Sequence, residues 1–281
     1  MEWITPQIRE LIKAALQEDL GSGDLTTTTI VPYSASAQGT IQAKSSMVLA
    51  GLEIAKTVFE TLDPEVVFQE QAKDGESLPA GAPIAEVSGN ARALLEGERL
   101  ALNFLQRLSG IATLTAEYVK QIQGTKAQIL DTRKTTPGWR FLEKYAVRVG
   151  GGKNHRYSLG HGILIKDNHI ALAGGIGEAV TRARQSCPLL IGIEVETQTV
   201  DQVQEALEAQ VDVIMLDNMS LEEMGKTVAL IGGKALVEAS GGVGLEEVEA
   251  IAKTGVDLIS VGKLTHSAPA ADISMKVVNI L

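Results

Sequence analysis

The stretch KALVEASGGVGLEEVEAIAKTGVDLISVGK (234–263) contains two short apolar runs separated by an amphipathic segment. The runs, KALVEA (234–239) and VDLISV (256–261), contain the β-branched and apolar residues that are typical of buried strands. In the segment between them, apolar residues recur at helical spacing. A strand, a helix and a second strand in this order predict a parallel pair of strands joined by a crossover helix.

The same pattern occurs further upstream. Four more runs precede the pair, namely AQIL (127–130), GILI (162–165), LLIGIEV (189–195) and VDVIML (211–216). From the third run onward, the starts lie about 22 residues apart. No Gly-x-Gly-x-x-Gly follows the first run, which argues against a dinucleotide-binding fold. We therefore predict an α/β protein with an open or incomplete (β/α) barrel. A flavodoxin-like open sheet is the alternative.

The first hundred residues have a different pattern. PQIRELIKAALQEDL (6–20) is predicted to be an amphipathic helix, and strand-like pieces follow at 37–45, 65–73 and 82–89. A helical segment over about 95–123, interrupted at SGIAT (109–113), is expected to lead into the barrel. We expect a smaller α+β domain at 1–112 and the barrel domain at 113–267. The amphipathic tail, 268–281, is expected to pack back on the first domain.

Composition limits the classes of partner. The 281 residues are 44% hydrophobic and carry a net charge of −10, whereas nucleic-acid binding needs a broad cationic surface. Cys187 is the only cysteine, which excludes an intrachain disulfide and indicates a reducing compartment. The start MEWITPQIRE (1–10) does not have the pattern of a signal peptide, and no apolar run approaches the ~20 residues of a membrane span. We expect a cytoplasmic protein without nucleic-acid or membrane partners.

Charged and polar residues recur where the predicted barrel strands end. Such residues are costly inside a barrel core, and the carboxyl ends of barrel strands form the active-site face. We therefore predict an active site at this face. The residues concerned, in chain order, are Asp131–Lys134, Lys166–His169, Glu194, Glu196, Asp217, Asn218, Glu238, Ser240–Gly242, Gly262 and Lys263.

The two signs of charge are separated along the chain. Residues 131–167 contain eight Lys and Arg against three acids, a local charge of +5, while the next two strands supply carboxylates. Such a cavity suits anionic substrates whose reacting centre becomes cationic. The loops ASGGVGLEEV (239–248) and VGKLTHSAPAADIS (261–274) follow the last two strands, where barrels commonly seat phosphate. We predict phosphate binding there.

Other marked residues have simpler interpretations. GGGK (150–153) lacks the spacing of a P-loop. Arg140, Lys144 and Arg148 lie at helical spacing, which is typical of a solvated helix face. His169 follows a strand directly, where a polar residue often caps a loop.

Several motifs together resemble the nicotinate-nucleotide pyrophosphorylase (carboxylating) family, also called quinolinate phosphoribosyltransferase. They are DTRKTTPG (131–138), GGGKNHR (150–156), LIKDNH (164–169), EVE (194–196), LDNM (216–219) and EASGG (238–242). The resemblance implies an α/β sandwich domain followed by an open, roughly seven-stranded barrel. It implies conversion of quinolinate and phosphoribosyl pyrophosphate to nicotinate mononucleotide, pyrophosphate and CO₂, in NAD biosynthesis. It also implies Mg²⁺, no organic cofactor, and a homodimer or larger assembly with shared active sites.

The resemblance also implies site residues. Catalysis would involve Lys134, Lys166, Glu196 and Asp217. Mg²⁺ carried by the substrate pyrophosphate would lie near Glu196 and Asp217. Arg99 would reach into the neighbouring subunit's site. Substrate binding as a whole would involve Arg99, Thr132, Arg133, Lys134, His155, Arg156, Lys166, Glu196, Asp217, Ser240, Gly241, Gly242, Val261, Gly262 and Lys263.

Two other functions are compatible with parts of this pattern. Lys166 at a strand end could form a Schiff base in a barrel lyase. A non-catalytic paralogue could bind a phosphorylated ligand on the same scaffold. The sequence departs from the family pattern at 158–161, so His161 receives no role.

Overall fold

The computed structural model describes the backbone of residues 4–280 and the side chains of residues 4–277. Residues 1–3 and residue 281 lie outside the described residues. Residues 1–3 belong to MEWITPQIRE (1–10), which lacks the pattern of a signal peptide, and residue 281 ends the tail. Two compact units divide the chain. The first comprises Met1–Leu114, Phe141–Gly150 and Ala268–Leu281, and the second comprises Thr115–Arg140 and Gly151–Ser267.

The first unit is built on an antiparallel sheet with the strand order β12-β1-β5-β3. Its strands are β1 (Ser36–Ala43), β3 (Val67–Glu70), β5 (Pro83–Asn90) and β12 (Ile273–Ile280), with a small separate pair formed by β2 (Met47–Val48) and β4 (Ser77–Leu78). Its helices α1 (Pro6–Leu20), α2 (Leu25–Ile30) and α3 (Leu52–Leu62) precede the long α4 (Ala91–Gln121). Residues of β1 alternate between buried and half-buried positions, as expected for a strand with one covered face. The three predicted strand pieces and the first helix are therefore confirmed.

The amphipathic tail of the chain forms a strand of the first unit. β12 pairs antiparallel with β1, with Ile41 opposite Met275. Its sequence ISMKVVNI is rich in β-branched residues, and pairing with β1 satisfies backbone groups that an isolated segment would leave to water.

Helix α4 runs without a break, so the interruption predicted at 109–113 is wrong. The small residues serve close packing instead. Ser109 Oγ accepts a hydrogen bond from Ala50 N at 3.0 Å. A Cβ on Gly110 would lie 2.0 Å from the carbonyl oxygen of Pro269, so only glycine fits there. The small residues of SGIAT (109–113) therefore allow the segment around Pro269 to pack closely against α4 and do not break the helix.

Helix α5 (Arg140–Val149) belongs almost entirely to the first unit, although we had expected 113–267 to form one continuous domain. Its Glu143 is fully buried and bonds Arg107 at 2.7 Å. Tyr145 donates a hydrogen bond to Asp74 at 2.6 Å. Lys144 is 2% exposed, so the predicted solvated face is wrong at this position.

The second unit contains a six-stranded sheet with the order β6-β11-β10-β9-β8-β7, and each paired neighbour is parallel. The strands are β6 (Gln128–Leu130), β7 (Ile163–Ile165), β8 (Ile193–Thr197), β9 (Val213–Asp217), β10 (Leu236–Ser240) and β11 (Leu258–Ser260). All six apolar runs in the sequence therefore form the predicted strands.

The strand order identifies an open barrel. β11 pairs with β6, so the last strand of this unit returns to its first, whereas a flavodoxin-like sheet would leave them apart. β6 and β7 stand at the two ends of the order, and the opening lies between them. An isolated parallel bridge between Leu130 and Lys153 continues the ladder beside β6.

The helices that follow the strands are α6 (Asp167–Ala173), α7 (Ile176–Ser186), α8 (Val200–Glu208), α9 (Leu221–Ile231), α10 (Val248–Lys253) and α11 (Lys263–His266). Of these, α7, α8, α9 and α10 pack against the strands. Val195, Ile214, Ala239 and Ile259 are buried on the strands beneath them. Among the helices of residues 4–280, none combines the length and apolarity that a bilayer span requires.

Candidate active site

A cavity of about 540 Å³ lies at the carboxyl ends of the barrel strands. This is the face at which the sequence predicted the active site. The cavity is lined by Thr132, Arg133, Lys134, His155, Arg156, Leu164, Lys166, Glu196, Met215, Asp217, Asn218, Glu238, Ser240, Gly241, Gly242, Val243, Ser260, Gly262, Lys263 and His266.

Strand register explains why acidic side chains from separate strands meet here. Glu196 is aligned with Met215, and Met215 is aligned with Glu238. Residues aligned across parallel strands point to the same face of the sheet, so these three share the face that lines the cavity. Glu194 precedes Glu196 by two residues and lies on that face as well, as the alternation along the strand predicted.

The two ends of the basic stretch 131–156 are held together by Asp131. Its buried carboxylate accepts hydrogen bonds from Asn154 Nδ2 at 2.5 Å and from the backbone N–H of His155 at 2.9 Å. The Lys153 N–H donates to the carbonyl of Ile129 at 2.8 Å. The segment 153–156 is therefore fixed beside the end of β6. The two ends of the basic stretch are thus brought together.

Cations gather on this wall of the cavity. Arg133 and Lys134 follow β6, while Arg156 is anchored by its Nη1, which donates to the carbonyl of Gly162 at 2.9 Å. Burial, followed by the charge of Arg133, lowers the pKa of Arg156, and Glu194 opposes that shift. Two guanidinium groups that repel one another at the edge of a cavity form a suitable seat for an anionic ligand.

Arg140 supports this wall from behind. Its Nε donates to Thr135 Oγ1 at 3.0 Å, and its Nη1 donates to the carbonyl of Tyr157 at 3.3 Å. Arg140 thereby ties the loop after β6 to the segment that carries Arg156. The predicted solvated face is wrong here too, because Arg140 braces two loops.

The opposite wall carries carboxylates at the ends of β8 and β9. Lys166 Nζ forms a hydrogen-bonded ion pair with Glu196 Oε2. Asp217 Oδ2 accepts from Asn218 Nδ2 at 2.9 Å. The ion pair engages the Lys166 ammonium with a carboxylate, which suits an electrostatic role and not that of a nucleophile.

Close packing of glycines shapes the phosphate-loop candidates. Gly241 has φ +101°, and a Cβ there would lie 2.2 Å from Asn218 Oδ1. A Cβ on Gly262 would lie 3.0 Å from Lys134 Cδ, so this glycine leaves room for the lysine stem. Thr265 Oγ1 donates to the carbonyl of Lys134 at 2.8 Å and fixes the same loop.

The loop 239–248 differs in part from the phosphate site that the sequence predicted. Helix α10 begins at Val248, after a turn, so its N terminus does not directly follow Gly241 and Gly242. Glu247 Oε2 accepts from the Gly244 N–H at 3.3 Å. A carboxylate at this position does not favour an anion at the helix N terminus, whereas Gly241 and Gly242 do line the cavity.

His155 lines the cavity, yet both of its ring nitrogens have protein partners. The backbone N–H of Arg156 donates to Nδ1 at 2.7 Å, and Nε2 lies 3.0 Å from Glu194 Oε2. An acceptor at Nδ1 assigns the proton of the neutral ring to Nε2, which donates to Glu194. The structure therefore brings His155 to the cavity but aims its N–H at a carboxylate of the protein.

Comparison with known proteins decides the family. A model of the quinolinate phosphoribosyl transferase C-terminal domain matches residues 111–276, and a model of the N-terminal domain matches residues 24–109. The chain belongs to the quinolinate phosphoribosyltransferase family. It is accordingly an enzyme of the phosphoribosyltransferase class.

Individual relatives agree with this family assignment. A "Probable nicotinate-nucleotide pyrophosphorylase [carboxylating]" of Bacillus subtilis is 48% identical over 271 residues, 96% of this chain and 93% of the relative. The crystal structure of NadC from Streptococcus pyogenes has a TM-score of 0.96 at 45% identity and covers 99% of this chain and 98% of its own. The nicotinate-nucleotide pyrophosphorylase from Francisella tularensis has a TM-score of 0.94 at 40% identity, covering 98% of each chain.

Two of the family's expected site residues lie outside the cavity lining. Val261 is 1% exposed and donates from its backbone to the carbonyl of Leu130. Its contribution is to join β11 to β6. Arg99 is an exposed residue of α4 in the first unit. The remaining expected residues, from Thr132 to Lys263, line the cavity.

Other cavity residues were not among the expected ligands. Leu164, Met215, Asn218, Glu238, Val243, Ser260 and His266 complete the lining. Asn218 and Glu238 were predicted at this face from their places at the strand ends, and alternation could also have identified Met215, which lies two residues before Asp217 on the same face. His169 Nδ1 accepts from the Lys166 N–H at 3.0 Å, so its interpretation as a cap is confirmed.

Proposed function

We propose that this quinolinate phosphoribosyltransferase binds both substrates in the barrel cavity and performs two successive steps there. The ring nitrogen of quinolinate displaces pyrophosphate from C1 of phosphoribosyl pyrophosphate, and the product then loses its 2-carboxylate as CO₂. Nicotinate mononucleotide would be formed for NAD biosynthesis. The observation that carries the proposal is one cavity with guanidinium and ammonium groups on one wall and carboxylates on the other.

Substrate binding would rest on the cationic wall. Quinolinate carries two adjacent carboxylates, which match the neighbouring Arg133 and Arg156. Each charge-assisted hydrogen bond contributes about 1.5–3 kcal/mol. Lys134 and Lys166 would meet pyrophosphate oxygens, while His155 would present its ring and its anchored backbone to the quinolinate. Gly241, Gly242, Gly262 and Lys263 would surround the ribose phosphate.

The displacement needs charge stabilisation more than proton transfer. As the C1–O bond breaks, its electron pair leaves with pyrophosphate and positive charge develops on the ribose ring. Glu196 and Asp217 would stabilise that charge from the opposite wall, and Lys134 would stabilise the leaving group. The ring nitrogen donates its lone pair to C1 and becomes a pyridinium.

Decarboxylation then follows from the new positive charge. The C2–carboxylate bond breaks, CO₂ departs, and the electron pair left on C2 is stabilised by the adjacent cationic nitrogen. A proton from solvent completes nicotinate mononucleotide. The cation that holds the 3-carboxylate would keep the ring oriented while the 2-carboxylate leaves.

Mg²⁺ belongs to this proposal as part of the pyrophosphate substrate. Oxygen ligands suit this ion, and carboxylates at Glu196 and Asp217 line the cavity where the pyrophosphate would enter. We infer no organic cofactor, because each bond change is accounted for by the two substrates.

A shared active site and a cytoplasmic location are also proposed. Arg99 is an exposed cation on α4, and in a homodimer or larger assembly it would reach the partner's cavity. A single cysteine and bacterial relatives support a reducing compartment.

No observation favours the barrel lyase. A Schiff base requires the Lys166 nitrogen to attack a carbonyl carbon, and this nitrogen is engaged in an ion pair with Glu196. Borohydride in the presence of carbonyl compounds should therefore leave Lys166 unmodified.

The proposal is tested by incubation with quinolinate, phosphoribosyl pyrophosphate and Mg²⁺. We expect a mononucleotide to form only when all three are present. Nicotinate, which lacks the 2-carboxylate, is the matched control and should give far less product. Equal turnover of nicotinate would contradict the assigned role of the arginine pair, and tight binding without turnover would point to the non-catalytic paralogue.

A further inference from the structure

Three titratable side chains meet beneath the cavity. His155 Nε2 lies 3.0 Å from Glu194 Oε2 and 3.6 Å from Glu238 Oε2. Glu238 is fully buried on β10, and Glu194 is 8% exposed on β8. The mechanism above uses neither carboxylate.

The contacts of this cluster leave carboxylate oxygens unsatisfied. Both oxygens of Glu238 and Oε1 of Glu194 are buried without a hydrogen-bond acceptor or donor within normal bonding geometry. Two ionised carboxylates in this position would repel one another, and a buried charge without a cation is costly. Either a cation or a proton must therefore complete the cluster.

The ligand set could in principle hold a metal ion, since one imidazole and two carboxylates converge. His155 argues against this. The Arg156 N–H donates to Nδ1 at 2.7 Å, which places the ring proton on Nε2, the atom that faces both carboxylates. A metal at Nε2 would require the ring to lose that proton as well. A proton on one carboxyl group satisfies the cluster without that change.

The surroundings of Glu238 decide which carboxyl group holds the proton. Burial, and then the charge of Glu194 on β8, raise the pKa of Glu238 to about 8. Its aligned neighbours, Met215 on β9 and Leu258 on β11, carry no charge. Glu194 Oε2, by contrast, accepts a hydrogen bond from His155 Nε2 at 3.0 Å.

We propose that Glu238 is a neutral carboxylic acid in the working enzyme, paired with ionised Glu194 under His155, and that it thereby keeps the cavity floor receptive to a dicarboxylate. Glu238 is a positioning residue in this role: it sets charge and holds the ring of His155 through Glu194. The inference rests on the proposed function, because it concerns the affinity for quinolinate.

The consequence is a penalty on quinolinate binding at alkaline pH. When Glu238 ionises, a negative charge appears in the floor of a cavity that must accept two carboxylates. Quinolinate itself remains a dianion, because its carboxyl groups titrate several units lower. If the ionised form does not bind, KM for quinolinate rises up to about tenfold per pH unit above about 8. kcat, which reports the loaded enzyme, should change less.

The test compares KM and kcat of the wild type and Glu238→Gln from pH 6 to 9.5 at saturating phosphoribosyl pyrophosphate. Glutamine keeps the size of the neutral acid and cannot ionise. We expect the steep alkaline rise in the wild type and a much flatter profile in the variant. Deprotonation of Lys134 and Lys166 would affect both proteins alike and is removed by the comparison. Parallel rises in both proteins would overturn the proposal.

Glu194→Gln supplies a second, independent readout. Removing the neighbouring charge lets Glu238 ionise more easily, so the alkaline rise should move to lower pH. A purely structural role of Glu194 would weaken binding at all pH values and leave the position of the rise unchanged.

Infrared difference spectra separate this inference from the proposed function. The wild type at pH 7 should show the carbonyl band of a protonated carboxylic acid that is missing in Glu238→Gln, whether or not quinolinate turns over. Absence of the band would overturn the inference and leave the reaction untouched. Stoichiometric binding of Mn²⁺ or Zn²⁺ that Glu238→Gln abolishes would overturn it in favour of a metal site.

Discussion

Two fully buried glutamates, one in each unit, have opposite neighbours. In the first unit, Glu143 bonds the guanidinium of Arg107 at 2.7 Å. In the second unit, Glu238 has the carboxylate of Glu194 as a neighbour. Glu143 is therefore paired with a cation for folding, whereas Glu238 adds a second acidic group beside the cavity that receives the ligand.

This contrast predicts that charge substitutions in the two units have separate effects. Substitutions within the first unit should change the free energy of unfolding with little change in kcat/KM. Substitutions on the cavity walls should do the reverse, because active sites hold arrangements that do not favour stability.

The largest effect is expected from Arg107→Ala. It leaves the Glu143 carboxylate without its arginine and removes a hydrogen bond to the Ala268 carbonyl. Breaking one partner of a buried ion pair costs about 3–5 kcal/mol, so we expect a loss of about 3 kcal/mol in the free energy of unfolding. Urea denaturation measures it. The double variant Arg107→Ala/Glu143→Gln should recover part of the loss; no recovery would mean that Arg107 acts through other contacts.

Arg133→Ala should lower kcat/KM by about 10- to 100-fold, because one charge-assisted contact to quinolinate is lost. Its melting temperature should stay within a few degrees of the wild type. Steady-state kinetics at neutral pH measure the effect. An Arg133→Ala enzyme of unchanged efficiency would remove Arg133 from the binding wall.

Glu238 should make stability fall as pH rises. Its folded pKa, about 8, lies above the usual glutamate value of 4.5, so the folded state binds more protons than the unfolded state between these values. The free energy of unfolding should therefore decrease between pH 4.5 and 8, by at most about 1.4 kcal/mol per pH unit. Glu238→Gln should show a shallower decline. Equal slopes in both proteins would show that Glu238 is ionised already.

Arg99→Ala is the expected exception to this contrast. Arg99 lies in the first unit, yet its loss should lower kcat/KM by about tenfold at most, the value of one exposed charged contact. A mixture refolded from Arg99→Ala and Arg133→Ala subunits should regain up to about a quarter of wild-type activity, because half of a randomly mixed dimer population carries one intact shared site. No regain on mixing would contradict a shared site.

The smallest effect is expected at Lys226, whose exposed side chain pairs with Glu222 one helical turn away on the outer surface of the barrel. Lys226→Ala should change stability by less than about 0.5 kcal/mol and leave kcat/KM unchanged. This variant is the matched control for Arg133→Ala. A large change in kcat/KM for Lys226→Ala would mean that cations far from the cavity influence the reaction through the long-range electrostatic field of the protein.

The six barrel strands and β1, β3 and β5 of the first unit were predicted from the sequence because alternation and β-branched runs report local geometry, whereas β2, β4 and β12 were not predicted. Helix α3 was not predicted, and the break expected in α4 was wrong. In the second case Gly110 is small because Pro269 approaches from a distant part of the chain. Lys144 was misplaced on a solvated face for the same kind of reason, since spacing along a helix does not reveal what covers each side.

The site was predicted in its outline and not in its interior contacts. Residues at strand ends indicated the cavity, because all parallel strands end at one face. The meeting of Glu194, Glu238 and His155 depends on how strands are staggered around the barrel, which no local pattern encodes. Both ring nitrogens of His155 have protein partners because the segment 153–156 folds around Asp131, which no local pattern encodes either.

The stoichiometry of products tests the account most directly. Quinolinate labelled with ¹³C in its 2-carboxyl group is incubated with the enzyme, phosphoribosyl pyrophosphate and Mg²⁺, and CO₂, pyrophosphate and mononucleotide are quantified together. We expect equal amounts of CO₂, pyrophosphate and mononucleotide, with all label released as CO₂ and none kept in the nucleotide. Pyrophosphate released without labelled CO₂, or label retained in the nucleotide, would contradict it.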